Sequence, residues 1–215
     1  MNKCLTDEHI SRLYSLGDRE ERNQRASEIV DYLKLTKPTN ILELGCGCGE
    51  LSRKLIDAGH TVTSTNNKAW TRFYQFAKQE QIYNDISFFD YDYNPTNWLE
   101  NSKNFRILVR NTSQKYDLVI AQRFSMHMDF LVKDEYQNLI TNLPVEAIND
   151  DDVYNAYMGL VKDLKQVCKK HAVIYIGFGP PFTTHKGCGS SKLLKYLYNS
   201  DFLGSVVLKF NVEDI

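Results

Sequence analysis

The residues best suited to chemistry stand at 43–49, where Glu43-Leu44-Gly45-Cys46-Gly47-Cys48-Gly49 continues an apolar stretch that begins at Ile41. A strand that runs into alternating glycines places a permissive backbone at its carboxyl end. In an open parallel sheet, ligands bind beyond the carboxyl ends of the strands, near the point where strand order reverses. Glycines there let the chain turn sharply and approach a ligand with no Cβ in the way. The spacing E-x-G-x-G-x-G differs from the dinucleotide fingerprint G-x-G-x-x-G, in which a pyrophosphate rests on a helix N-terminus. A tight strand-to-helix turn without a ligand is the plainer alternative. Three alternating glycines behind an apolar strand carrying Glu43 favour a ligand loop.

The segment 41–49 resembles motif I of the class I S-adenosylmethionine-dependent methyltransferases, and the order of elements along 40–210 is similar to that family's. The resemblance implies S-adenosylmethionine as cofactor. Gly45, Gly47 and Gly49, with Cys46 between them, would then pack under its methionine part and ribose. Glu43 would sit below, ordering the loop or approaching the cofactor's amino group through water. The family usually places an acid after the second strand, where a carboxylate accepts from both ribose hydroxyls. Here the chain reads Thr65-Asn66, so these two would accept without charge. Charge-assisted hydrogen bonds are roughly twice as strong as neutral ones, so the resemblance implies weaker cofactor binding than usual. At 88–92, Phe-Phe-Asp-Tyr-Asp resembles the adenine corner, with Asp90 accepting from the adenine amino group and Tyr91 or Phe89 flanking the ring. An ordinary acidic strand end is the alternative for Asp90, since Asp readily forms turns.

Tyr116-Asp117-Leu118-Val119-Ile120-Ala121-Gln122-Arg123 corresponds to the family's fourth motif, with His127 close behind. Gln122 would lie near the methionine part or the transferring methyl. Methyl transfer is an in-line displacement at a sulfonium carbon, so the protein mainly aligns two partners. A hydroxyl or protonated amine acceptor also needs a base near neutral pKa, which suits His127. Packing between Met126 and Met128 is the alternative role for that histidine. Arg123 would clamp an anionic acceptor or pair with a local acid. Phe178 and Phe182, in Gly-Phe-Gly-Pro-Pro-Phe at 177–182, would wall an acceptor pocket, or the prolines simply make a rigid turn. That segment follows the fifth strand and lacks a leading Asn or Asp, so it is not read as an amino-methylation motif.

These residues need a scaffold, and the hydrophobic pattern supplies one. Residues 7–35 read as helical in two amphipathic pieces interrupted by Gly17, and Pro38 ends the region. A strand at 41–44 leads to a helix over 50–58, which Gly59 closes as a C-terminal cap. Strands follow at 60–65 and 86–90 with a helix at 68–80 between them. The stretch 93–115 is irregular, with a short strand at 105–109. The run 117–121 is apolar after its opening Asp117, as in a strand covered on both faces. Helices at 131–142 and 151–169, an N-cap from 149–152, a strand at 172–177, a short helix at 191–199 and a last strand at 205–210 complete the chain. The expected fold is α/β, a Rossmann-like three-layer sandwich with a mostly parallel seven-stranded sheet. The family ends in an antiparallel strand pair. Only one clear candidate strand remains here, so the expectation leaves room for a sheet shortened at its C-terminal edge. The chain reads as a single domain, 1–215, with N-terminal helices at 1–36 and a core at 37–215. The helices would either cover the cleft as a lid or pack on the sheet.

With 215 residues the chain buries roughly 70% of its unfolded surface, enough for a full core. Its 26 basic and 27 acidic side chains give a net charge of −1, without the basic excess of a dedicated nucleic-acid binder. No apolar run reaches the ~18 residues of a membrane helix, and the N-terminus lacks the apolar core of a secretory signal. Five scattered cysteines read as free thiols in a reducing cytoplasm, with no spacing for a metal site. The leading expectation is a cytoplasmic methyltransferase with a small-molecule hydroxyl or amine acceptor. A tRNA, DNA or protein acceptor stays open, as does a methyltransferase-like binding or scaffold protein that has lost turnover.

Overall fold

The structure is a computed structural model, and it describes residues 8, 11, 16–66, 87–88, 113–121, 150–177, 191–199 and 207–215. The elements are α1 (Leu16–Leu33), β1 (Asn40–Leu44), α2 (Glu50–Asp57), β2 (Thr61–Asn66), β3 (Ser87–Phe88), β4 (Tyr116–Ala121), α3 (Asp150–Lys165), β5 (Cys168–Gly177), β6 (Leu197–Asn199) and β7 (Val207–Asn211). Short 3-10 turns occupy Ser191–Tyr196 and Val212–Asp214.

Among the described residues, seven strands form one sheet in the order β3-β2-β1-β4-β5-β7-β6. β1 to β5 run parallel, while β7 is antiparallel to both β5 and β6. Strand order reverses between β1 and β4, which opens a crevice at their carboxyl ends. The crossover through α2 leads one way from β1 and the connection through α3 leads the other way from β4. Right-handed crossovers in opposite directions put α2 and α3 on opposite faces, giving the expected three layers.

On one face Ala26 and Ile29 of α1 and Leu51 and Leu55 of α2 pack on Ile41, Leu118 and Ile120. Alternate residues Leu42, Leu44, Val119 and Ile174 are buried toward the other face, so the central strands are covered on both sides. α2 ends in a Schellman cap. Gly59, at φ 88°, donates its N–H to the Ile56 carbonyl (2.8 Å), and the His60 N–H donates to the Leu55 carbonyl (3.1 Å).

α1 begins at Leu16, so Gly17 falls at the start of the second expected helical piece, and residues 12–15 before it lie outside the described residues. Two local expectations are corrected. The region 191–199 is not one helix. Its last three residues pair with β7, with Leu197 opposite Leu208, which supplies the outer antiparallel strand. The sheet therefore keeps its C-terminal edge at seven strands. β5 also begins at Cys168 rather than 172, extended by its pairing of Cys168 with Tyr116. The strand expected at 105–109 and the helices at 68–80 and 131–142 lie outside the described residues.

Candidate active site at the glycine loop

Parallel register builds the site. Glu43 pairs with Ser64, and Leu44 with Thr65. Glu43 shares a face with Ile41, the face that α2 covers, so its carboxylate lies beneath that helix. There Ser52 donates its hydroxyl to Glu43 Oε2, and Ser64 Oγ donates to Ser52 Oγ at 2.7 Å. All three residues are buried. One chain of hydrogen bonds thus joins β2, α2 and β1 directly below the glycines.

The loop backbone is pinned from the side. Thr65 Oγ1 donates to the Glu43 carbonyl (2.8 Å), and the Cys46 N–H donates to the Thr65 carbonyl (3.0 Å). The Gly49 N–H then closes a turn on the Cys46 carbonyl (2.9 Å). Gly45, Gly47 and Gly49 sit at φ 67°, 55° and 84°. Side chains carry a cost in that left-handed region, so the path requires glycine. A Cβ placed on Gly47 meets nothing within 4 Å. The left-handed backbone and the open space above it together form a cradle whose mouth a side chain would enter. This is the geometry the expected nucleoside cofactor needs, and Gly45, Gly47 and Gly49 are the residues that would hold it.

Burial pushes the Glu43 carboxyl up to about 7, with the Ser52 hydrogen bond opposing the rise and Glu50 adding to it. Burial, helped by Glu50, pushes the Cys48 thiol up to about 12, so it stays protonated and makes a poor nucleophile or metal ligand. Cys46, Cys48 and Cys168 are buried thiols outside any disulfide, and no metal-holding group of His, Cys, Asp or Glu gathers among the described residues. α1 reaches the site through Arg22, whose Nε donates to Glu50 Oε1 at 2.7 Å. Glu50 opens α2, where a carboxylate also complements the helix dipole.

Of the residues singled out in the sequence, Glu43, Gly45, Cys46, Gly47, Gly49, Thr65 and Asn66 meet at the carboxyl ends of β1 and β2. The Thr65 hydroxyl proton is committed to the Glu43 carbonyl, while its oxygen keeps the capacity to accept. Asp90, Tyr91, Gln122, Arg123, His127, Phe178 and Phe182 lie outside the described residues. The strands before them, β3, β4 and β5, end at this same edge at Phe88, Ala121 and Gly177. Sequence reading missed Ser52 and Ser64. Their signal was a serine on the apolar face of a short helix and another opposite Glu43 in register.

A family model described as tellurite resistance protein TehB matches residues 11–161. Among solved structures, the chain is similar to a TehB-like S-adenosylmethionine-dependent methyltransferase from Corynebacterium glutamicum. The identity is 15%, covering 96% of this chain and 99% of that one, with a TM-score of 0.51. It also matches the E. coli protein YjhP at 16% identity (72% of this chain, 48% of that one, TM-score 0.39). A methyltransferase from Methanosarcina mazei matches at 17% (71% and 58%, TM-score 0.39). The chain thus spans about half the length of those two relatives and nearly all of the Corynebacterium protein. No curated protein matches the sequence.

Proposed function

This chain belongs to the TehB family of class I S-adenosylmethionine-dependent methyltransferases, and from that premise we propose that it methylates a small-molecule acceptor at a hydroxyl or amine. S-adenosylmethionine is its cofactor and supplies an electrophilic methyl on a sulfonium sulfur. The single observation that supports the cofactor part of the reading is the open, left-handed cradle at Gly47 above the buried Glu43.

The chain's own residues divide the work. Gly45, Gly47 and Gly49 give the cofactor close access to the backbone, and Glu43, held by Ser52, fixes the loop's shape. Thr65 and Asn66 accept from the ribose, and Asp90, Tyr91 and Gln122 complete the cofactor's surroundings. Arg123, Phe178 and Phe182 bind and orient the acceptor. His127 takes the proton from the acceptor heteroatom as the new bond to carbon forms. The near-balanced charge of −1 favours a small acceptor over a polyanion. Tellurite, named in the family's description, belongs in the acceptor panel. No helix among the described residues is long and apolar enough to cross a membrane, and we place the enzyme in the cytoplasm.

Calorimetry with S-adenosylmethionine and S-adenosylhomocysteine tests the reading, and the expected result is saturable binding of both. Absence of binding at millimolar concentration overturns it. The uncharged pair Thr65-Asn66 favours a second reading, a binding protein without turnover. Cofactor binding with no methyl transfer to any acceptor class selects that alternative. His127→Ala isolates the base: an unaltered rate with a hydroxyl or amine acceptor rejects its role.

A further inference from the structure

At the opposite edge of the sheet, the amino-terminal ends of β1, β4 and β5 surround a cleft of about 700 Å³. This falls within the ~300–1,000 Å³ range of sites that hold small molecules. With five residues in β1 at ~3.3 Å each, the cleft lies roughly 15 Å from the glycine loop. Its floor is apolar, made by Leu33, Leu35, Leu118, Val173 and Tyr175. Its rim is cationic, with Lys37, Lys169, Lys170 and His171 beside one carboxylate, Asp117. That carboxylate is already engaged, accepting from Lys169 Nζ (2.9 Å) and from the Asn40 backbone N–H (3.1 Å). His171 faces Glu213 at 2.9 Å. Lys37 also acts electrostatically on Asp117, so against this single lining carboxylate the cleft keeps an excess of positive charge, with Lys37 and Lys170 exposed to meet a ligand.

The strand itself is irregular at this point. Tyr116 pairs with Cys168 but Leu118 pairs with Val173, so residues 169–172 of β5 stand against Asp117 alone. In a regular strand, successive side chains face opposite ways, and Lys170 would leave the face that Lys169 and His171 share. The bulge breaks that alternation and lets all three line one cleft.

We propose that this cleft is a second binding site, separate from the glycine loop, for a small amphipathic anion: an apolar body that ends in a carboxylate, sulfonate or phosphate. The body lies on the leucines and Tyr175, and the anionic end meets Lys37 and Lys170 at the mouth. Ammonium groups beside an apolar floor bind an anion more strongly than the same groups in open water.

The test is a fluorescence titration of the full chain with 1-anilinonaphthalene-8-sulfonate, with and without saturating S-adenosylhomocysteine. One saturable site is expected, unaffected by S-adenosylhomocysteine and weakened by added salt. The double variant Lys37→Glu with Lys170→Glu changes only exposed side chains, and circular dichroism verifies its fold. Its affinity for the dye should fall roughly tenfold or more. Decanoate and phenyl phosphate should displace the dye, and decanol should not. Displacement by S-adenosylhomocysteine, unchanged affinity in the double variant, equal displacement by decanol, or no saturable binding would each overturn the proposal. Calorimetry with S-adenosylhomocysteine reads the glycine loop independently of the dye, so the two readings fail separately.

Discussion

Gly47 combines two demands that one substitution can separate. Its φ of 55° disfavours most side chains, while the space above it is open. Asparagine tolerates the left-handed region better than other L residues, so Gly47→Asn should keep the fold within about 1 kcal/mol of the parent. It should still lower cofactor affinity more than ~tenfold, by filling the cradle. Calorimetry and thermal denaturation on one preparation check both halves, and parent-like affinity would mean that the ligand does not use this space. Glu43 makes a second prediction. Its carboxyl is raised from 4.5 to about 7 by burial. The folded state therefore holds the proton more tightly than the unfolded chain does. That contribution to stability is complete below pH 4.5 and is lost as pH rises through about 7. Glu43→Gln removes the titration but keeps a carbonyl to accept from Ser52. Its stability relative to the parent should rise across this window, by at most about 1.4 kcal/mol per pH unit. Denaturant titrations between pH 4 and 8 measure the difference, and a flat difference would count against the buried carboxyl.

Two helix ends show how far an element can be read locally. α2 stops at Gly59, whose type and position announce the cap. α1 stops at Lys34, which takes φ 47° without a glycine to ease it. A left-handed L residue costs roughly 1–2 kcal/mol, and glycine returns part of that gain through unfolded-state entropy. Lys34→Gly should stabilise the protein by about 0.5–1 kcal/mol, seen as a higher melting temperature, and a lower one would rule out strain at this end. The strands over the cofactor edge were legible because their apolar runs and alternation are properties of short segments. Leu197–Asn199 was not, since nothing local favours a strand there. It is a strand because β7 offers an unpaired neighbour.

Across the whole molecule, the site and the antiparallel edge lie far apart in strand order. Phe210 of β7 is 1% exposed, opposite Ile174 in register, with its ring 4.5 Å from that of Tyr196. Phe210→Ala should cost about 3–5 kcal/mol by leaving a cavity. Cofactor affinity should be kept wherever the variant is still folded, because β5 and β4 stand between this edge and the glycine loop. A variant with native-like stability, or a folded one with lost affinity, would contradict that division.

The sequence by itself determined the glycine loop and most strands of the sheet. A strand's apolar face and a glycine's left-handed turn are set by neighbours in the chain, so residues 41–49 carried their own geometry. Tertiary structure decided which side chains meet. Ser52 and Ser64 reach Glu43 only because β2 lies beside β1 in one register while α2 crosses above both. Lys37 joins Lys170 only because the sheet brings the start of β1 alongside β5's bulge, with β4 between them. Partner choice and register depend on burial summed over the whole core, and no short window of sequence contains that sum.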